Sequence, residues 1–295
     1  MKGDDWMNEA RGCLLRIREM IHSLTPKELQ LANFLLDHAD RAVNMSIDAL
    51  AEACGVSVST VVRLCKTLGY TGYKELIRNL YSDISSSQPD NTFEDITPGD
   101  QPEAVMRNIC QCNIKAIENT FAIADPAALT LAVKKLCDAD RIDFYGMGSS
   151  GLVALDAGSK FLRCGKTVFA HSDPHNQVLS ALTLREGDVA VLISYSGETT
   201  DILTLARLIQ PLGATIISLT RYGRNSLSEM ADIRLYASST ETLLRIGPMS
   251  SRIAQLTVID ILYASVCSQI FDAVKPHLEQ SRTATLRMHQ SHGSR

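Results

Sequence analysis

The sequence predicts an all-α N-terminal domain followed by a three-layer α/β domain built on a doubly wound, five-stranded parallel sheet. Three observations carry this reading. Up to about residue 81 the apolar residues recur only at helical spacing. From residue 103 onward, short β-rich runs alternate with helical segments, which is the rhythm of parallel βαβ units. Between them lies SDISSSQPDNTFEDITPGDQP, residues 82–102, rich in Ser, Pro, Asp and Gly and without either period. The boundaries are therefore set at 1–81 and 103–280, with 82–102 as linker and 281–295 as a polar tail.

In the N-terminal domain the first helical stripe is Leu14, Leu15, Ile17 and Ile21, and the second is Leu29, Leu31, Ala32, Phe34, Leu35 and Leu36. The second helix starts at Thr25-Pro26-Lys27-Glu28, with Thr25 as cap, Pro26 in the first helical position and Glu28 completing a capping box. Residues 46–69 then read as two helices around a tight turn. Ser46 caps a helix that buries Ile47, Leu50 and Ala51; Gly55 permits the turn; Val56 plugs the angle between the helices. Ser57 caps the second helix, and Val61, Val62, Cys65 and Leu68 form its inner face. This leaves Ser57, Ser59, Thr60, Arg63 and Lys66 outward, where a recognition helix meets base edges and phosphates. The alternative is an ordinary helical hairpin with a solvated polar face, but a hairpin needs neither the Gly-Val-Ser turn nor such small residues on its approach surface. Tyr70 and Tyr73, which follow, read first as packing residues and second as phosphate contacts.

Net charge is −4, and its distribution matters more than its size. Through residue 82, ten basic residues balance ten acidic ones. Within 57–81, however, Arg63, Lys66, Lys74 and Arg78 are opposed only by Glu75. That local positive surface is compatible with DNA.

The C-terminal domain opens with helical periods over about 103–124 and 126–137. Strands follow at 141–145, 166–170, 188–194, 214–220 and 232–236, separated by helices at about 151–164, 174–184 and 200–212. A last long helix at about 248–274 carries Ile253, Leu256, Ile259, Ile261 and Leu262 as its apolar stripe. Two Ser/Gly loops stand directly after strands: Gly146-Met147-Gly148-Ser149-Ser150-Gly151, and Ser194-Tyr195-Ser196-Gly197-Glu198-Thr199-Thr200. Open parallel sheets bind ligands at the C-terminal ends of their strands, where both loops fall. Glycines admit close approach, and hydroxyls with free amides at a helix N-terminus suit a phosphate. The candidate ligand residues are Gly148, Ser149, Ser150, Ser194, Ser196, Gly197, Glu198 and Thr199. A Ser/Thr-lined cup with no Walker lysine fits a small phosphomonoester better than a nucleoside triphosphate. Helix capping is the competing reading; it accounts for one hydroxyl per loop and not for six in two loops.

Composition narrows the class further. At 295 residues and 45% hydrophobic the chain suffices for two ordinary cores, and its longest apolar runs fall far short of the ~20 residues that span a bilayer. With no secretory pattern at the N-terminus, a soluble cytoplasmic protein is expected. Eight cysteines are scattered without a CxxC pair, as reduced thiols used as small hydrophobes are. Cys110 and Cys112 are close in sequence but point to different faces of a helix. No metal and no cofactor is expected.

With these motifs in hand, the chain resembles the RpiR-type transcriptional regulators, which join an N-terminal helix-turn-helix domain to a C-terminal SIS (sugar isomerase) domain. The carriers are ALAEACGVSVSTVVRLCKTLGYTGYKEL (49–76), FYGMGSSGLVA (144–154), LISYSGETTDIL (192–203) and SSRIAQLTVIDIL (250–262), and the likeness covers nearly the whole chain. It implies a phosphosugar effector held by Ser150, Ser194, Ser196 and Thr199 with amides near Gly197. It also implies operator DNA as partner, and assembly as a homodimer or homotetramer reading half-sites about one helical turn (~34 Å) apart or a multiple of it. SIS domains also occur in aldose-ketose isomerases, which need a general base. Glu198, Glu241, His171 and His175 are the candidates, and catalysis is the runner-up because an isomerase gains nothing from a DNA reader. A phosphosugar-binding scaffold acting through protein contacts is the third reading. Arg245, Ser251 and Arg252, near the start of the last helix, reach an anionic ligand or close a subunit interface; the sequence leaves both open.

Overall fold

The computed structural model describes residues 12–85, 99–239, 249–277, 279, 280 and 283. Most of the 82–102 linker (86–98), Glu241, Arg245 and nearly all of the 281–295 tail lie outside them. By its contacts the chain divides into two compact units, the first made of residues 1–123 with 222–224 and 238–244, the second of the remainder from Ala124 onward.

The first unit is helical: α1 (Cys13–Met20), α2 (Pro26–Asp37), α3 (Ala39–Ala42), α4 (Ile47–Ala53), α5 (Val58–Thr67), α6 (Tyr73–Ser85) and α7 (Pro102–Ile123). Its core gathers Ile17, Leu31, Leu35, Leu50, Val61, Leu64, Leu68, Leu76 and Leu80, all fully shielded. Each such side chain contributes about 1.5–3 kcal/mol of burial free energy. The local signals act as expected. Ser46 accepts from the Ala49 amide, Ser57 accepts from the Thr60 amide, and Gly55 takes a φ of +59° that a residue with a Cβ adopts only under strain. Pro26 opens α2, and Glu28 accepts from the Thr25 amide and hydroxyl. Tyr70 is buried, and the Tyr73 hydroxyl donates to the Met45 carbonyl at 2.8 Å, so both tyrosines are packing residues. On α5 the inner face is Val61, Leu64, Cys65 and Leu68, with Val62 only half-buried. Leu64 replaces Val62 because positions i, i+3, i+4 and i+7 share one side of a helix.

The second unit is a three-layer α/β fold. In chain order it runs α8 (Pro126–Asp138), β1 (Arg141–Gly146), α9 (Gly148–Leu162), β2 (Thr167–Ala170), α10 (Pro174–Ala181), β3 (Val189–Ile193), α11 (Thr200–Ile209), β4 (Thr215–Arg221), α12 (Ser226–Met230), β5 (Ile233–Ala237) and α13 (Ser250–Gln269). The five strands are all parallel in the order β2-β1-β3-β4-β5. α8, α9 and α13 pack on one face, and α10, α11 and α12 on the other. Side-chain alternation feeds both layers. Phe144 turns to Phe161 of α9, ring centroids 5.2 Å apart, while Tyr145 joins Leu192, Ile202 and Leu227 under α11 and α12. β3, at the centre, is buried at all five positions, as a strand covered on both faces must be.

The last helix departs from its predicted stripe. α13 turns Ala254, Gln255, Val258, Ile259, Leu262 and Val266 inward, leaves Ile253 and Leu256 half-buried, and exposes Ile261. Its polar residues, nine of twenty, are spread round the helix, so the neighbouring helices decide which face is covered. The helix also ends earlier, at Gln269, and residues 271–277 form a further helical segment bent by 104°. Among the described residues no single helix is long and apolar enough to cross a membrane.

Candidate functional site

The sheet order reverses between β1 and β3: from β1 the chain winds outward to β2, then returns to add β3 on the other side. Such a switch point leaves a crevice at the C-terminal strand ends. Both Ser/Gly loops open there, with Gly146 at the end of β1 paired to Ile193 at the end of β3. Gly146 has no room for a Cβ, which would meet the Ser150 carbonyl, so the loop folds back tightly onto α9. Gly148, at φ +55° with open space around it, brings Ser149 and Ser150 into the first turn of α9, which begins three residues earlier than the predicted 151.

Neither helix at the crevice is capped by its own side chain. Met147 at the N-cap of α9 and Thr199 at the N-cap of α11 make no side-chain bond to the first turn. The capping reading of the hydroxyls therefore fails. The first-turn amides of both helices, and the positive ends of two helix dipoles, face the crevice mouth. The Ser149 hydroxyl is buried and has no hydrogen-bond partner among the described residues. Ser150 pairs with Gln255 of α13 at 3.2–3.3 Å.

The second loop is braced from within. Ser194 is buried and its hydroxyl lies 2.9 Å from that of Thr199. Exposed Ser196 accepts from the Glu198 amide at 3.2 Å. Gly197, at φ +71°, packs so closely on Asn225 that a Cβ there would collide with its side chain. Asn225 caps α12 and donates to the Thr220 hydroxyl, and the Glu198 carboxylate accepts from the Ser226 amide at 2.8 Å. Glu198 thus clamps the loop to α12. Of the other base candidates, His171 is half-buried with its ring stacked beside Phe169, and His175 is exposed in the first turn of α10. Ser251 is buried and Arg252 half-buried in the first turn of α13. Among the described residues no three His, Cys, Asp or Glu side chains gather as a metal site would require. A hollow of about 340 Å³ lined by Leu131, Lys135, Thr215 and Asp232 opens at the N-terminal ends of β4 and β5, away from the crevice.

Three positioning residues escaped the sequence reading. Gln177 of α10, buried, donates to the carbonyls of Gly146 (3.0 Å) and His171 (2.8 Å) and so ties the β1 and β2 loops together. Nothing in its neighbourhood announces this. Asn225 carries a readable signal, a capping box with Ser228. Gln255 is a polar residue on the buried stripe of α13, an interruption that itself marks a partner.

On the helical unit, Ser57, Ser59 and Lys66 are exposed on α5 as expected. Thr60 is corrected: it is only 8% exposed, and its hydroxyl lies 2.9 Å from that of Ser57. It completes the cap rather than facing outward. Arg63 keeps 58% of its side chain exposed while its Nε donates to Glu28 at 3.0 Å, tying α5 to α2. Burial pushes the Glu28 carboxyl up, but the bonds from Thr25 and Arg63 outweigh it and hold the group below its ordinary value. A carboxyl depressed on folding adds stability above its unfolded pKa and loses it as pH falls through the folded one. Glu28→Gln is accordingly expected to lose about 1–3 kcal/mol at pH 7 and much less at pH 3, read from urea midpoints; an equal loss at both pH values would refute the ion pair's role.

An all-helical unit carrying a helix-turn-helix, joined to a doubly wound α/β unit with an anion-suited crevice, defines a two-part regulator. Residues 11–87 match the helix-turn-helix domain of the rpiR family, and residues 135–265 match the SIS domain. The chain is 41% identical over 265 residues to an uncharacterized HTH-type transcriptional regulator of Caldanaerobacter subterraneus subsp. tengcongensis, covering 90% of this chain and 94% of that protein. It is 34% identical over 270 residues to the HTH-type transcriptional regulator HexR of Pseudomonas aeruginosa, covering 92% and 94%. Among solved structures it is similar to the Vibrio vulnificus NanR protein complexed with ManNAc-6P, at 25% identity, TM-score 0.59, and coverage of 94% and 98%. The chain belongs to the RpiR family of helix-turn-helix transcriptional regulators with a C-terminal SIS domain. It is a helix-turn-helix transcriptional regulator, as these relatives are.

Proposed function

We propose that this regulator senses a phosphorylated sugar in the crevice between the β1 and β3 loops and reads a palindromic operator through α5 as a homodimer or homotetramer. The observation that carries the reading is the pair of uncapped helix N-termini, α9 and α11, opening side by side at the switch point with the buried, unpartnered Ser149 hydroxyl between strand and helix. First-turn amides of two helices and the hydroxyls of Ser149 and Ser196 offer a phosphate its donors. Ser194 and Thr199, bonded to each other, shape the loop and contribute through it. The ManNAc-6P complex of NanR supports the class of ligand. Which sugar is sensed is left to the loops around its hydroxyls. The ligand acts by binding DNA-competent and DNA-incompetent states unequally, since equal affinity shifts nothing.

Thermal unfolding against a panel of sugar phosphates, with the unphosphorylated sugars as controls, tests the sensor half. One phosphosugar is expected to raise the midpoint by several degrees, and Ser149→Ala and Ser196→Ala to blunt that rise while leaving DNA affinity near wild type. No shift with any compound, or turnover of the compound that binds, would overturn the reading. For the reader half, an operator is selected from a random-sequence DNA pool. Lys66→Ala is then expected to weaken it uniformly across sequences and to reduce the salt slope by about one. Arg63→Ala is a less clean probe because it also breaks the link to Glu28.

A further inference from the structure

Two cysteines that stand far apart in sequence meet at one end of a helix pair. α9 and α13 run parallel in contact: Ser150 meets Gln255, Lys160 bridges to Asp260, and the rings of Phe161 and Tyr263 stand 5.7 Å apart. Just past the end of α9 sits Cys164, and on the last turn of α13 sits Cys267; their sulfurs are 3.1 Å apart and both are free thiols. A disulfide needs the sulfurs only about 1 Å closer.

We propose that Cys164 and Cys267 are a redox modification site that closes into a disulfide under peroxide and reopens with a dithiol reductant. The two thiols differ in access. Cys164 is buried, and burial together with Cys267 pushes its thiol up to about 12, while Cys267 is half-buried and is the entry point. The Cys267 sulfur attacks hydrogen peroxide, the O–O bond breaks, and a sulfenic acid and one water form. The Cys164 sulfur then attacks the Cys267 sulfur, its proton leaves with the departing hydroxyl as a second water, and the S–S bond closes. Two thiols supply two electrons and peroxide becomes two waters. The resulting staple fixes the far end of the helix pair, about 21 Å along α9 from the turn that carries Ser150. Reversible thiol pairs of this kind are what a reducing compartment permits. The inference stands independently of any phosphosugar.

The full-length protein is treated with hydrogen peroxide, its remaining thiols are alkylated, and its peptides are mapped by mass with and without reductant. The expected result is a Cys164–Cys267 peptide pair, lighter than the sum by two hydrogens and released by reductant. Oxidation should also raise the thermal midpoint by several degrees, an effect absent in Cys267→Ser and retained in Cys110→Ser. Recovery of Cys164 and Cys267 as separate alkylated thiols while exposed Cys110 oxidises would overturn the proposal. So would a link from Cys267 to Cys137, whose thiol also feels Cys267.

Discussion

Asp143→Ala is expected to destabilise the α/β unit by about 3–5 kcal/mol, the largest single loss predicted for this chain. Asp143 is fully buried on β1 and accepts from four groups: Nε and Nη2 of Arg141, each at 2.7 Å, the Tyr145 hydroxyl at 2.7 Å, and the Ser180 hydroxyl. Arg141 also lies over the ring of Phe169 on β2, 4.3 Å from its centre, and donates to Thr183. Burial and Asp143 push the Tyr145 phenol up, so it remains a donor. Removing the carboxylate takes two bonds from a half-buried guanidinium that keeps only Thr183 and Ser180, and leaves the buried Tyr145 phenol without its acceptor. Asp143→Asn keeps the shape but loses the charge, and is expected to fall between wild type and Ala. Urea midpoints decide it; a loss below about 1 kcal/mol for Asp143→Ala would mean that water replaces the carboxylate without strain.

The second large effect is expected at Gly146, on the ligand response. A methyl group there meets the backbone carbonyl of Ser150, which no rotamer change can relieve, so the β1 loop and the first turn of α9 must shift apart. Gly146→Ala should lose about 1–3 kcal/mol of stability and reduce phosphosugar affinity at least about tenfold, because displacement of the first-turn amides is felt directly by the anion. Gly148→Ala is the contrast. Space is open there, so the penalty is the φ of +55° alone, about 1–2 kcal/mol. Isothermal titration of both variants with the phosphosugar that shifts wild type checks this; equal affinities for Gly146→Ala and wild type would show that the turn tolerates the displacement.

Much of this architecture was legible in residue order, and the exceptions have a common physical origin. The strand positions lie within one residue of those read from the β-rich runs; β3, covered on both faces, is apolar throughout, and the other four are short runs bounded by turn and helix signals. The turn at Gly55 and the caps at Ser46 and Ser57 were equally plain, since each is a local demand that only a few residue types meet. Roles that depend on elements distant in sequence were not. Gln177 acts on a carbonyl 31 residues away, Gln255 on a hydroxyl 105 away, and Cys164 on a sulfur 103 away. The stripe of α13 failed for a related reason: a helix whose polar and apolar residues are mixed round its circumference has no sidedness until its neighbours supply one. Thr60 was misread because a hydroxyl at the start of a helix can face the solvent or its own cap, and here the Ser57 hydroxyl drew it in.

The backbone bonding around the second loop bears on how such a regulator could respond at all. The Ser194 amide donates to the Leu219 carbonyl at 3.1 Å and the Arg221 amide to the Tyr195 carbonyl at 2.8 Å, so the ladder between β3 and β4 runs on into the loop. Amides held in this way belong to the slowest-exchanging set of the sheet, opening only when the sheet itself opens. An anion bound as proposed would meet this half of the crevice already shaped, with little disorder to remove. With the ligand bound as proposed, hydrogen exchange should leave the amides of Ser194 and Arg221 unchanged while protection rises at the first turn of α9.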